Sequence, residues 1–344
     1  GSLELALQLV DAAAAAGADV VKFQTFVAAR MISASAPKAA YQKRTTGEGE
    51  SQLDMVRRLE LSPAMHKALL ERCAACGIEF LSTPFEGDSV DLLVGLGLRR
   101  LKVPSGEITN GPLLLKLART GLPLIVSTGM ATLDEVRMAL AVLAFGYTAS
   151  HDLWPDHMAL AAALESVEGQ AALRRSVTLL HCTTEYPAPM ESVNLRAMAT
   201  LAEAFGLPVG YSDHTPGITI PIAAAARGAV VIEKHFTLDR ALPGPDHKAS
   251  LQPDELAAMV TAIRDVEMAL GDGRKQPHAC EQGNAAVARK SLAARRPMTA
   301  GEALSPDNLT VLRPGTGMSP MRYWELLGRP APRDYAEGEL IEPL

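Results

Sequence analysis

The feature that most constrains the fold is a short apolar segment that recurs along the chain, with a helical stretch after each copy. These segments are flanked by Gly, Pro or polar residues, as strands buried in a parallel sheet are. They are Asp19–Gln24, Ile78–Ser82, Arg100–Val103, Leu124–Ser127, Val177–His181, Val209–Tyr211 and Val230–Glu233. Alternation of strands and helices predicts an α/β fold with a parallel sheet.

The favoured form of this fold is a (β/α)8 TIM barrel. The chain opens on an Ala/Leu-rich helix over Leu3–Ala16, which Gly17 ends. Seven strands are visible, and an eight-stranded barrel needs one more strand upstream. We therefore expect the first strand of the barrel to be missing from this sequence. A doubly wound sheet is the alternative.

Length and composition bound the class of protein. The 344 residues allow one large barrel and a small further domain. A net charge of -6 argues against nucleic acid or an anionic membrane as a partner. No apolar run is long enough to cross a bilayer, and the first residues lack a signal-peptide pattern. Four cysteines, with a lone CxxC at Cys73 and Cys76, favour the reducing cytoplasm and a buried helix face rather than zinc or redox chemistry.

The predicted organisation is a barrel domain over residues 1–272, a linker over 273–287 and a small, mostly β or irregular domain over 288–344. Two segments interrupt the barrel pattern. Residues 27–54 form a long polar loop, which is typical of a functional segment, and residues 151–175 form an insertion that is helical in part.

Each of the seven predicted strands ends in polar side chains or is directly followed by them. They are Lys22 and Gln24; Ser82 and Thr83; Lys102, Ser105 and Glu107; Ser127 and Thr128; His181, Thr183 and Thr184; Ser212, Asp213 and His214; and Lys234 and His235. One such residue has an ordinary structural explanation, but a full set does not. Because active sites of these barrels lie at the carboxyl ends of the strands, the set predicts an active site there.

His214 and His235 follow two consecutive strands, which lie about 4.8 Å apart in a sheet. Two imidazoles at corresponding strand ends can share one ion and leave positions for water and substrate, as a catalytic metal requires. With oxygen donors completing the shell, Mn²⁺ or Mg²⁺ is favoured over zinc. The alternative is that each histidine is a hydrogen-bonded core or loop residue.

Two lysines and several hydroxyl groups predict an anion site. Lys22 and Lys102 each follow an apolar run, so we expect their ammonium groups to point into the barrel mouth. Together with Thr83, Ser105, Ser127 and Ser212 they would form a cradle for phosphate and carboxylate groups. The alternative for a lysine is a solvated surface charge. Candidates for holding sugar hydroxyls are Gln24, Glu107, Tyr186 and Asp246.

Eight motifs, in this order and spacing, resemble the sialic acid synthase family. They are Lys22–Thr25, Ser82–Phe85, Lys102–Glu107, Ser127–Met130, His181–Pro187, Ser212–Thr215, Glu233–Thr237 and Gly244–Asp246. The tail, Arg313–Gly317, resembles the C-terminal antifreeze-like (SAF) domain of that family. The resemblance covers essentially the whole chain.

The resemblance implies an enzyme that condenses phosphoenolpyruvate with an N-acetylated mannose-type sugar. The acceptor would be N-acetylmannosamine or a 2,4-diacetamido-2,4,6-trideoxymannose, and the products N-acetylneuraminate or N,N'-diacetyllegionaminate plus phosphate. Thr184 stands where synthases specific for N-acetylneuraminate often have Asn, which favours the legionaminic branch. The family's first strand, which carries an acidic residue near an Asn-His-x-Gly stretch, is absent from this sequence.

The resemblance also implies a role for each residue. The metal, usually Mn²⁺, would be bound by His214 and His235. Phosphoenolpyruvate would be held by Lys22, Thr83, Lys102, Ser105, Ser127, Thr184 and Ser212, and the sugar by Gln24, Glu107, Tyr186, Asp246 and Arg313. Lys22, Lys102 and Glu107 would be catalytic, the lysines stabilising anionic groups and the carboxylate activating water. Arg313 would reach into the barrel of a partner subunit, which implies a domain-swapped homodimer.

Two other functions remain open on the residues alone. A metal-dependent barrel hydrolase or isomerase would also use a pair of histidines, although it would not require Lys22 and Lys102. A non-catalytic carbohydrate-binding protein is compatible with the antifreeze-like tail and the missing strand.

Overall fold

The structure is a computed structural model that describes residues 1–47 and 49–342. Glu48, Pro343 and Leu344 lie outside the described residues, so the predicted 27–54 loop and the predicted 288–344 domain are described without them. The chain divides into two compact units, Gly1–Gly271 and Asp272–Leu344. Each unit has its own hydrophobic core and is described by itself.

Seven parallel strands form the centre of the first unit. They are β1 (Val20–Thr25), β2 (Glu79–Pro84), β3 (Leu101–Val103), β4 (Leu124–Ser127), β5 (Val177–Cys182), β6 (Val209–Asp213) and β7 (Ile232–Lys234). β1 pairs with β2, and β3 to β7 pair in consecutive order. All seven predicted strands are confirmed, and their order with intervening helices is that of a TIM-type barrel.

Helices follow the strands and cover the sheet. They are α1 (Leu3–Ala15), α2 (Ala28–Met31), α3 (Ala40–Thr46), α4 (Gln52–Arg57), α5 (Pro63–Cys76), α6 (Gly87–Gly95), α7 (Gly111–Arg119), α8 (Leu133–Thr148), α9 (His157–Glu165), α10 (Val167–Ser176), α11 (Ala197–Phe205), α12 (Thr219–Ala226) and α13 (Pro253–Leu270). Ser62 caps the amino-terminal end of α5, and Thr132 and Glu135 form a capping box on α8. None of the helices in the described part of the chain has the length and apolar character needed to cross a membrane.

The prediction that residues 27–54 form a loop was wrong in part, because α2, α3 and half of α4 lie there. These helices have four to seven residues, too few to show a helical period of apolar positions in the sequence. The 151–175 insertion forms α9 and nearly all of α10, as predicted. Cys73 and Cys76 lie at the end of α5, where Cys73 is buried and Cys76 half-buried.

Burial differs along the sheet in a way that locates the site. Every residue of β3, β4 and β6 is buried, whereas all three residues of β7 are only half-buried. β1 and β7 line one cavity of about 730 Å³ together with residues of α1 and α13. The cavity is apolar between the strands and helices, and it contains the polar ends of β1 and β7. This cavity therefore joins the half-buried strands to the predicted active-site end.

The second unit is small and has its own core. α14 (Gln282–Ala288) precedes β8 (Ser291–Ala294), which pairs antiparallel with β9 (Leu309–Leu312), and α15 (Tyr323–Leu326) follows. Leu292, Leu309 and Tyr335 belong to its core. The segment expected to be a linker, 273–287, holds a 3-10 turn over Ala279–Glu281 and most of α14.

Candidate active site

A carboxylate and two ammonium groups from three different strands lie close together. Lys22 Nζ on β1 lies 3.3 Å from Glu233 Oε2 on β7, and Lys102 Nζ on β3 lies 3.4 Å from Glu233 Oε1. Ser212, opposite Glu233 in the β6–β7 register, donates a hydrogen bond of 2.8 Å to the same Oε1. The structure thus brings both predicted lysines together, although they lie 80 residues apart in the sequence.

The charges of this cluster depend on one another. Burial lowers the pKa of Lys102 to about 8, and the nearby Glu233 carboxylate opposes this effect. Burial opposes ionisation of Glu233, but the charges of Lys102 and Lys22 hold the pKa of its carboxyl well below its usual range. Lys102 also donates a 2.8 Å hydrogen bond to Ser127 on β4. At neutral pH the cluster carries two positive charges and one negative charge, so it can attract an anion.

Three buried polar atoms at the strand ends have no hydrogen-bond partner among the described residues. They are Thr83 Oγ1, Thr184 Oγ1 and Asp246 Oδ1. An unsatisfied buried polar atom costs about 1–3 kcal/mol, so such atoms are normally satisfied by water or a ligand. All three were predicted to contact substrate. Unpartnered polar atoms on residues at or after the carboxyl ends of β2, β5 and β7 indicate a binding site for a polar molecule.

His214 and His235 lie together, with ring centroids 5.3 Å apart. His214 Nδ1 lies 2.6 Å from the Thr183 carbonyl oxygen, which can only accept, so Nδ1 carries the proton and Nε2 keeps a free lone pair. Burial lowers the pKa of both imidazoles, that of His235 to about 3, so both are neutral at pH 7. The Tyr186 ring packs against both imidazoles, with its centroid 4.2 Å from that of His214 and 5.3 Å from that of His235.

The histidine pair fits a divalent cation that takes two ligands from the protein. Neutral imidazole is the form that binds metals, and a ring fixed by a hydrogen bond to a carbonyl is the usual arrangement of a metal ligand. Asp246 Oδ2 lies 3.7 Å from His235 Nδ1, and burial raises the pKa of Asp246 to about 6. No group of three or more His, Cys, Asp or Glu side chains that could hold a metal ion exists in the part of the chain that the structure describes.

Three predicted residues are not drawn into this cluster. Gln24 is exposed at the end of β1, where it lines the cavity. Glu107 lies in the turn after β3, and its carboxylate accepts a 2.6 Å hydrogen bond from Asn110 in the same turn. Arg313 follows β9 in the second unit and is exposed.

Sequence reasoning gave no role to Glu233 and treated Asp213 and Lys234 as part of the site. A signal for Glu233 existed, because residues two apart on a strand share a face and Glu233 is two residues before His235. Lys234, on the other face, forms a buried ion pair with Asp213, with Nζ 2.5 Å from Oδ2. Asp213 and Lys234 are therefore engaged with each other.

Gly129, just after β4, is in close contact with the site, and this gives a prediction. A Cβ at this position would overlap Thr184 Oγ1 and would lie 2.6 Å from Cys182 Sγ and 2.8 Å from Ser105 Oγ. Gly129→Ala is expected to displace these groups, at a cost of about 1–3 kcal/mol, and to weaken the binding of an anionic ligand such as phosphate about tenfold or more. Gly106→Ala is the control, because no atom lies within 4 Å of its Cβ. Calorimetric titration would measure both, and equal affinities would contradict the prediction.

Comparison with known proteins identifies the family. The sequence profile of the NeuB family matches residues 9–275, and that of the SAF domain matches residues 289–343. The chain is 51% identical to the N,N'-diacetyllegionaminic acid synthase of Campylobacter jejuni over 99% of this chain and 95% of that protein. Its identity to the Legionella pneumophila protein of the same name is 46%, over 95% and 86%.

A solved structure agrees with this assignment. The N-acetylneuraminic acid synthetase of Leptospira borgpetersenii matches with a TM-score of 0.65 and 32% identity, over 82% of this chain and 85% of that one. The family profile, the full-length relatives and the solved structure agree on the family. The chain therefore belongs to the NeuB family and carries a SAF domain at its C-terminal end.

Proposed function

We propose that the chain is a nonulosonic acid synthase that condenses phosphoenolpyruvate with 2,4-diacetamido-2,4,6-trideoxymannose to give N,N'-diacetyllegionaminate and phosphate. The observation that carries the proposal is the pair of lysines around Glu233, close to a pair of neutral histidines, in a chain similar to the Campylobacter synthase. A site with both features suits one reactant with two anionic groups and a second reactant with a carbonyl oxygen.

The lysine cluster would bind phosphoenolpyruvate. Lys22 and Lys102 would hold its anionic groups, and Thr83 and Thr184 would use their unpartnered hydroxyls on the same oxygens. Ser105, Ser127 and Ser212 lie at the neighbouring strand ends and complete the cradle. Because these groups are held by strands and are partly desolvated, they would also stabilise the charge that develops on the leaving phosphate.

The reaction would proceed in three steps. C3 of phosphoenolpyruvate forms a bond to the aldehyde carbon of the open-chain sugar as the C2–C3 π bond breaks, and the aldehyde oxygen takes up a proton. Water adds to C2 and loses one proton, and the resulting C2 hydroxyl loses its proton as the C2–O bond to phosphate breaks, which leaves a C2 ketone and phosphate. A divalent cation, Mn²⁺ or Mg²⁺, held by His214 and His235 would supply Lewis acidity. Glu107 would take a proton from the attacking water, while Gln24, Tyr186 and Asp246 would bind sugar groups.

Thr184 supports the choice of sugar. Its Oγ1 is buried and unpartnered, and it lies beside Gly129, so a longer side chain such as Asn would have little room there. We infer that this position distinguishes the legionaminic branch from synthases that make N-acetylneuraminate. The domain-swapped homodimer, the contact of Arg313 with a partner barrel and the cytoplasmic location stay predictions.

A product assay tests the proposed function. The chain is incubated with phosphoenolpyruvate, Mn²⁺ and one sugar at a time, and phosphate release and the mass of the product are measured. The diacetamido sugar is expected to give at least tenfold higher kcat/KM than N-acetylmannosamine. Phosphate release without sugar would favour a hydrolase, and sugar binding without turnover would favour a non-catalytic carbohydrate-binding protein.

A further inference from the structure

A buried polar network ties together the two strand ends that carry the histidines. Asp213 and Lys234 are opposite each other in the β6–β7 register, and their side chains are 0% and 1% exposed. Asp213 also accepts hydrogen bonds from Thr215, at 3.2 Å from the backbone nitrogen and 3.0 Å from the hydroxyl. Lys234 in turn donates to the Thr215 carbonyl oxygen. Asp213, Thr215 and Lys234 are called the strand-end network below.

The residues of this network are direct chain neighbours of both histidines. His214 lies between Asp213 and Thr215, so both of its chain neighbours are tied to one carboxylate. His235 directly follows Lys234, whose ammonium group reaches across to the neighbours of His214. The network therefore fixes the backbone on both sides of one histidine and immediately before the other.

Stability alone does not account for a buried ion pair at this place. Removing two charges from water costs several kcal/mol, and a well-packed apolar pair in the same volume is often as stable or more stable. The surrounding strand ends could have held such a pair, since β6 is buried throughout. What an apolar pair cannot supply is a directional link between the two backbones. The network is thus better explained by geometry than by stability.

We propose that the strand-end network is a positioning device that sets the spacing and direction of the His214 and His235 rings for metal binding. This inference rests on the proposed function of the histidine pair. A metal site with only two protein ligands depends strongly on their geometry, because distances must hold to about 0.2 Å. The ring centroids are 5.3 Å apart, and the network joins the two backbone segments that carry the rings. The three residues act through the histidines and contact no reactant.

The test removes both charges of the network together. Asp213→Asn/Lys234→Met leaves no unpaired buried charge, and Glu79→Gln/Arg100→Met is the matched control. Glu79 and Arg100 also pair between neighbouring strands, at 2.7 Å, but at the amino-terminal ends of β2 and β3. The dissociation constant of Mn²⁺ is measured by electron paramagnetic resonance, and the melting temperature without metal is measured beside it. The network variant is expected to bind Mn²⁺ about 10- to 100-fold more weakly, which is the usual effect of losing a group that holds a metal ligand in place. The control is expected to bind Mn²⁺ with wild-type affinity.

A second readout needs no metal. The His214 Nδ1 proton, hydrogen-bonded to Thr183, is expected to exchange with solvent at least tenfold faster in the network variant. If the wild type fails to bind Mn²⁺, the proposed metal site is wrong, and proton exchange still decides the role of the network. Should the double variant not fold, Thr215→Val is expected to show the same weaker Mn²⁺ binding and faster proton exchange. Thr215→Ser, which keeps the hydroxyl, is expected to behave like the wild type. Unchanged Mn²⁺ affinity and unchanged exchange would overturn the inference.

Discussion

Replacing Glu233 by Gln is expected to lower kcat/KM with phosphoenolpyruvate about 100-fold at pH 8, although it removes a negative charge from an anion site. Lys102 is buried, and its pKa of about 8 already depends on the Glu233 carboxylate. An opposite charge at this distance moves a pKa by about 1 to 3 pH units, so without it Lys102 would be neutral at pH 8. Because a neutral amine cannot form an ion pair with phosphate or carboxylate, kcat/KM falls.

The effect is expected to shrink as the pH falls, which makes the experiment decisive. Lys102 carries its charge below its pKa, so wild-type affinity is expected to hold up to about pH 8 and to decline above it. In the variant the decline is expected to begin at least one pH unit lower, so the kcat/KM values of variant and wild type should approach each other as the pH falls from 8 toward 5 and Lys102 becomes charged in both proteins. Profiles of kcat/KM against pH would measure this.

Glu79→Gln is the matched control for this experiment, since Glu79 pairs with Arg100 at the opposite ends of the strands. Its pH profile is expected to match the wild type. A Glu233→Gln profile that also overlays the wild type would show that Glu233 does not support the charge of Lys102.

The sequence predicted the strands of the barrel because each buried strand is a short apolar run between polar residues. It also predicted which end of the strands carries the chemistry, because polar groups such as Lys22 and His235 follow directly after those runs. These inferences are local in the sequence and need no knowledge of distances. The helices α2 to α4 were missed because segments of four to seven residues show no complete period.

The electrostatic partners within the site were beyond the sequence for a physical reason. Nothing in the chain indicates that Glu233 lies between two lysines, because that contact depends on the curvature of the sheet as well as on the strand order. Asp213 and Lys234 were read as strand-end groups like their neighbours, and the alternation of side chains sends them to the other face. Differences of about an ångström in the positions of the side chains decide which charged group contacts substrate and which pairs with another charged group.

His214→Ala is expected to abolish specific Mn²⁺ binding, with an affinity loss of more than about 100-fold, and to reduce kcat at least as much. Loss of an outer support costs about 10–100-fold, and loss of one of only two protein ligands must cost more. His181→Asn is the control, because His181 also ends a strand but uses its Nε2 on the Val193 carbonyl oxygen, at 2.8 Å. It is expected to bind Mn²⁺ normally. If chelated His214→Ala protein kept the wild-type rate, the histidine pair would have no part in the reaction, and the lysine cluster would have to carry it alone.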